Sequence, residues 1–303
     1  MTLELRLMEH VLTLIAPPDG LDDSMLARVR SALTDLGADT LAPTWLDKGR
    51  AADLPFAMLS PGQADAAARY LLGDAPIDII AQSAANRRKK LLVADMDSTM
   101  VVGETLDDLA AFAGIKDHIA AITARAMNGE LDFKEALRER VGLLAGLPAD
   151  CLDKTYAHLQ FMPGAETLVR TMKANGAMAV LVSGGFKFFT SRVAAHCGFD
   201  RDLSNQFEIE NGKLTGKVIE PILDRSTKLE TLINAAAEFS LPLALTIAVG
   251  DGANDLEMIK AAGLGVAYHA KPIVAAEAQA RVDHGDLTAL LFAQGYKADE
   301  FVS

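Results

Sequence analysis

Leu91-Leu92-Val93-Ala94-Asp95-Met96-Asp97-Ser98-Thr99 is an apolar run too short for a helix, ending in two carboxylates at i and i+2 and then two hydroxyl residues. It predicts a buried strand that delivers acids at its C-terminal end. In an open parallel α/β sheet, side chains at that end face the crevice beyond the strands, where ligands bind. Asp95 and Asp97 are therefore the first candidates for chemistry.

Two further apolar stretches end the same way. Ala177–Val182 runs into Ser183-Gly184-Gly185-Phe186, and Leu245–Val249 runs into Gly250-Asp251-Gly252-Ala253-Asn254-Asp255. Leu264–Ala267 is a fourth strand, and the patterns at Ala165–Ala174 and Lys228–Phe239 are helical. Strands alternating with helices at this spacing predict an α/β fold with a doubly wound, parallel, Rossmann-like sheet. Its strand ends lie on one edge, so residues far apart in sequence can meet in one pocket. Phe207–Leu214 reads as a hairpin, because Asn211-Gly212 favours a type I′ turn.

Before this core, residues 1–82 read as a separate small α+β domain, with strands at Val11–Ala16 and Ile77–Ile80 and helices at Leu21–Leu36 and Gln63–Leu72. That order resembles an ACT-like or ferredoxin-like fold. No motif in it supports ligand binding, so a packing domain, with homodimerisation as a candidate role, is preferred to an amino-acid sensor. Asn86-Arg87-Arg88-Lys89-Lys90 reads as the solvated end of a linker, with no function assigned. Residues 105–159 carry helical patterns interrupted at Gly114, Gly129 and Gly146, an all-helical insertion into the core formed by residues 88–104 and 160–303.

Composition narrows the class. A chain of 303 residues with 50% hydrophobic and 23% charged residues is folded and long enough for more than one domain. The net charge of −12 argues against broad nucleic-acid binding, which needs clustered Lys and Arg. It also means that an anionic substrate must be attracted locally. Cys151 and Cys197 suggest buried thiols and not a disulfide framework. The six histidines show no ligand spacing. No secretory signal and no membrane span is read, so the expected location is the cytoplasm.

Taken in order, Asp95-Met96-Asp97-Ser98-Thr99, Ser183-Gly184-Gly185, Lys228 and the turn from Gly250 to Asp255 resemble the haloacid-dehalogenase-like phosphatases, whose first motif is DxDx[TV]. The resemblance implies that the helical insertion is a cap, that Asp95 is the nucleophile forming an aspartyl-phosphate, and that Asp97 is general acid and then base. It implies Mg²⁺ held by Asp95, Asp97 through its carbonyl, and Asp251, with Asp255 behind them orienting Lys228 or a metal-bound water. Ser183 and the Gly184 amide would donate to the phosphoryl oxygens, and Asn254 would join the substrate site. Lys228 would offset the gathered negative charge, with Lys213 and Lys217 as competitors for that role.

Two longer strings, Asp95 to Thr105 and Met127 to Val141, resemble the phosphoserine phosphatase family. In that family a glutamate at the position of Glu104 holds the substrate ammonium, and an arginine at the position of Arg140 holds its carboxylate, which suits a planar bidentate donor. Arg138 has Glu135 at i−3, which leaves Arg140 the freer arginine. Phe133 and Met127 would supply an apolar wall or simply core. The implied activity is Mg²⁺-dependent hydrolysis of O-phospho-L-serine, the last step of serine synthesis. The alternatives are another small phosphate ester, or a serine-sensing regulatory protein with a vestigial core.

Overall fold

The computed structural model describes residues 8–127 and 130–303, without the side chains of residues 124, 126 and 127. The N-terminal part runs β1 (His10–Ile15), α1 (Asp23–Asp35), β2 (Asp39–Thr40), β3 (Thr44–Asp47), β4 (Ala51–Ala57), α2 (Pro61–Leu72) and β5 (Asp78–Ser83). Its antiparallel sheet has the order β2-β4-β1-β5, with β3 also on β4. This is the ferredoxin-like interleaving of two split β-α-β units. Helix starts follow the sequence: Asp22 caps α1, and Ser60 with Gln63 forms a capping box on α2, with Pro61 at its first turn.

Strands β1 and β4 are buried almost throughout because both faces of their sheet are covered. One face packs on α1 and α2 through Leu12, Leu14, Leu54 and Phe56. On the other, Ile15, Ala51 and Ile80 belong to the same apolar cluster as Leu287, Leu290 and Phe292 of the core. Polar bonds close this seam. Asp78, 1% exposed, accepts the backbone amides of Asp283, His284 and Gly285 at 2.7, 3.1 and 2.7 Å. Arg50 reaches Asp286 and Thr288.

The basic run is not a solvated linker end. Arg87 pairs with Asp53 and donates to the carbonyls of Phe292 and Ala293. Lys89, 4% exposed, donates to the carbonyl of Ala244, and Arg88 pairs with Glu300. Arg87 lies on the seam, where carbonyls and a buried carboxylate need donors, and Arg88 and Lys89 bond within the core.

The core begins with β6 (Leu91–Ala94). The helical insertion, the expected cap, follows as α3 (Thr105–Phe112), α4 (Lys116–Met127), α5 (Phe133–Gly142) and α6 (Asp150–Tyr156), with Asn128 and Gly129 outside the described residues. Then come α7 (Ala165–Ala174), β7 (Met178–Phe186), α8 (Lys187–Cys197), β8 (Arg201–Asn205), β9 (Phe207–Glu210), β10 (Lys213–Val218), α9 (Arg225–Glu238), β11 (Thr246–Gly250), α10 (Leu256–Ala261), β12 (Leu264–Tyr268), α11 (Pro272–Glu277), β13 (Ala280–Val282) and α12 (Ala289–Ala293).

The core sheet is parallel with the order β13-β12-β11-β6-β7-β8. Strand β6 is central, and its neighbours are the two other motif-bearing strands. The chain winds outward from β6 to β8 and then returns to build the other half, so the order reverses beside β6, where the crevice forms. Along β6, Leu92 and Ala94 face one apolar cluster and Leu91 and Val93 the other, so an uninterrupted apolar run suits a strand covered on both faces.

The cap region is joined to the core by paired strands of chain. Val102 donates to the carbonyl of Gln160 at 2.8 Å, and Met162 to that of Met100 at 3.0 Å. The β9–β10 hairpin, with Asn211 and Gly212 both at positive φ as a type I′ turn requires, bonds to the end of the insertion at Gly146, Leu147 and Ala149. Cys151 and Cys197 are buried free thiols. Among the described residues no helix is long and apolar enough to cross a membrane.

Candidate active site

Asp95 follows β6 directly, and its amide donates to the carbonyl of Val249 on β11 at 3.0 Å. The chain turns sharply through Ser98 at φ 58, so it leaves the sheet just after Asp97. Both acids are buried, at 4% and 9% exposure. The Asp97 carboxylate is held from two sides: the Thr105 amide at the start of α3 donates to Oδ1 at 2.8 Å, and the Ser183 hydroxyl of β7 donates to Oδ2 at 3.0 Å. The Gly185 amide in turn donates to Ser183 Oγ at 2.8 Å.

Lys228 lies inside α9, which Asp224 caps three residues earlier than the sequence pattern suggested. It is 2% exposed as a residue. Its Nζ donates to Asp95 Oδ1 at 2.6 Å and to Asp255 Oδ1 at 2.5 Å. The remaining oxygen of Asp255 accepts the Gly252 amide at 2.9 Å. Gly250 makes this possible, because a Cβ there would sit 2.4 Å from Asp255 Cγ. Lys213 and Lys217 belong to the β10 hairpin, on the cap side, and take no part in this cluster.

Burial and the Asp255 charge hold the Asp95 carboxyl well above the usual carboxylate range, against the pull of Lys228. Burial raises Asp97 as well, despite its hydrogen bonds. Asp251 is raised by burial and by Asp255. For Lys228 burial opposes its charge, but Asp255 and Asp95 outweigh it and raise its pKa, so the ammonium stays protonated.

One oxygen each of Asp95, Asp251 and Asp255 lie within 4.8 Å of one another. Hard oxygen donors suit Mg²⁺, which takes one or two carboxylates and keeps water and substrate oxygens for the rest. Both Asp255 oxygens are committed, whereas among the described residues Asp95 Oδ2 accepts no hydrogen bond and the Asp251 carboxylate none from another residue. Asp95 and Asp251 thus fit as ligands, with Asp255 behind them.

A cleft of about 330 Å³ opens over this cluster and is lined by Asp95, Asp97, Glu104, Phe133, Arg140, Ser183, Gly184, Asp251 and Asn254. Phe133, 40% exposed, reaches down from the cap so that a Cβ on Gly184 would lie 3.4 Å from its ring. Glu104 accepts from the Ser98 hydroxyl at 3.0 Å. Its residue surface is open to solvent, yet desolvation of the carboxyl at the cleft and the charges of Asp97 and Asp251 push it up to about 7. Arg140, half-buried, donates only to the carbonyl of Ala136 among the described residues. Arg138 pairs with Glu220 at 2.7 Å and not with Glu135. The side chain of Met127 lies outside the described residues.

Lys271, Asp107 and Thr105 also line the cleft and were not singled out from the sequence. Lys271 follows the end of β12, so the strand-end rule that pointed to Asp251 could have found it.

The sequence model for haloacid dehalogenase-like hydrolases matches residues 92–260. Phosphoserine phosphatase SerB2 of Mycobacterium tuberculosis is 46% identical over 214 residues, 71% of this chain and 52% of that protein, so the matched part spans about half of that relative. Phosphoserine phosphatase of Streptococcus thermophilus is 47% identical over 199 residues, 66% of this chain and 93% of the relative. A HAD family hydrolase from Salmonella enterica serovar Typhi superposes with a TM-score of 0.84 at 29% identity, covering 97% of this chain and 99% of the other. Sequence match and architecture agree, and the chain belongs to the haloacid dehalogenase-like hydrolases.

Proposed function

We propose that the chain is a Mg²⁺-dependent phosphatase that hydrolyses O-phospho-L-serine to L-serine and phosphate, the closing step of serine synthesis in the cytoplasm. The observation that carries the reading is the meeting of Asp95, Asp97 held by Ser183, and Lys228 beneath a cleft that has Glu104 and Arg140 along its wall. An ammonium and a carboxylate on one small substrate call for one anion and one guanidinium, and the cleft offers both. Relatives bearing the name phosphoserine phosphatase support the substrate.

In the first step an Asp95 oxygen attacks phosphorus while the phosphorus–oxygen bond to serine breaks. Asp97, entering the step as the carboxylic acid, passes its proton to the departing serine oxygen. Serine leaves and Asp95 carries the phosphoryl group. Asp97, now a carboxylate, takes a proton from the water that attacks phosphorus, releasing phosphate and restoring both acids. Lys228 and donors from the Ser183-Gly184 turn neutralise the phosphoryl oxygens. Asp95 and Asp251 would hold Mg²⁺, which supplies positive charge against the repulsion between nucleophile and phosphate.

The test is phosphate release from O-phospho-L-serine by wild type and Asp95→Asn, each with Mg²⁺ and with chelator. Turnover confined to metal-loaded wild type supports the reading. Release from other esters but not from phosphoserine would keep the core chemistry and remove the roles of Glu104 and Arg140.

A further inference from the structure

Lys271 carries a charge at the cleft that the mechanism above leaves unused. It stands in the loop after β12, next to β11 in the sheet, and its amide donates to the carbonyl of Asp251 at 3.1 Å. That bond fixes the loop beside the turn from Asp251 to Asn254. Its side chain lines the cleft there, is exposed, and forms no ion pair among the described residues.

The other cations at the cleft are placed differently. Lys228, with its side chain 3% exposed, is bonded to two carboxylates, and Arg140 sits on α5 in the cap region. Meanwhile a phosphate ester must approach a chain of net charge −12 and a cleft walled by Asp95, Asp97, Glu104, Asp107 and Asp251. A field of that sign slows the approach of a dianion unless a local cation offsets it. An ammonium on a flexible four-carbon stem can meet the phosphate in solvent and follow it inward.

The geometry points to Lys271 as the residue that captures the phosphoryl group of the incoming ester on the core rim of the cleft and holds inorganic phosphate before it leaves. This rests on the phosphatase reading. Lys271→Met keeps most of the stem and removes the charge, and Lys271→Arg restores charge.

With saturating Mg²⁺, Lys271→Met is expected to lower kcat/KM for O-phospho-L-serine about 10-fold, within the range of steering effects, and to make it rise more steeply with ionic strength, because salt screens the repulsion that is left. Competitive inhibition by inorganic phosphate weakens alongside, and Lys271→Arg stays near wild type. Calorimetry with inorganic phosphate reads the same contact without turnover, so a wild type that hydrolyses no ester defeats the phosphatase reading and still leaves the contact measurable. Unchanged phosphate affinity in Lys271→Met, with an unchanged salt slope, overturns the proposal. So does a variant whose sole change is tighter Mg²⁺ binding, which would make Lys271 a counter-charge to Asp251.

Discussion

Replacing Lys228 by Met removes the ammonium that sits between two buried carboxylates, 2.6 Å from Asp95 and 2.5 Å from Asp255, with side-chain exposures of 3%, 6% and 0%. Breaking a buried ion pair by deleting one partner costs about 3–5 kcal/mol, because a charge is left without compensation. Met fills most of the lysine stem, so the cavity contribution is small. Asp95 already has a folded-state pKa well above its unfolded value near 4, through burial and Asp255, and losing Lys228 raises it further. A raised folded pKa gives a stabilisation that is present below about pH 4 and lost as pH rises through the folded value. The penalty of Lys228→Met therefore grows with pH. Urea denaturation in chelator should show a loss of about 3–5 kcal/mol near pH 8 and a smaller one near pH 5. An equal loss at both pH values, or one below about 1 kcal/mol, would refute the charge-pairing account.

Glu104→Gln removes a carboxyl held at about 7 against 4.5 for a free glutamate, so wild type loses stability as pH rises between those values and the loss is complete above pH 7. Discounted for its exposure, the gain in the variant is about 1 kcal/mol near pH 8, smaller near pH 5 and none below about pH 4, read as a rise in Tm, while KM for phosphoserine increases at least about tenfold. In wild type, KM should rise as pH falls below 7 and Glu104 takes up a proton. Gly250→Ala forces a Cβ against Asp255; a loss of about 1–3 kcal/mol and a fall in kcat are expected from denaturation and steady-state assays. Asp78→Ala leaves three amides of the seam unpaired and should cost about 3 kcal/mol or more in denaturant, which a loss near zero would contradict.

The core was legible because buried parallel strands must be apolar throughout and then stop at polar turns; β6, β7 and β11 each obey this. β7 extends past Val182 to Phe186 because Phe186 still pairs with Asn205 after a bulge, which composition does not reveal. Edge strands were missed for the opposite reason. β8 reads Arg-Asp-Leu-Ser-Asn, as an edge that discourages pairing with other chains tends to, and β13 is only three residues long. Within the site, Asp95, Asp97, Ser183 and Asp251 could be named from their place at strand ends and Lys228, Glu104 and Arg140 through the family resemblance, whereas Lys271 belongs to no quoted string although it follows a predicted strand. Arg87 looked solvated because a run of basic residues carries no sign of the Asp53 it meets from another part of the chain.

The bond from the Thr105 amide to Asp97 ties the chemistry to the roof above it. Thr105 opens the first helix of the cap, and the strands of chain that join cap to core are themselves paired, at Val102 with Gln160 and at Met100 with Met162. A rocking of the cap on that short ladder would tug the acid's own ligand. On the proposed mechanism, Asp97 would hold its bond from the cap with the roof down and lose it with the roof raised.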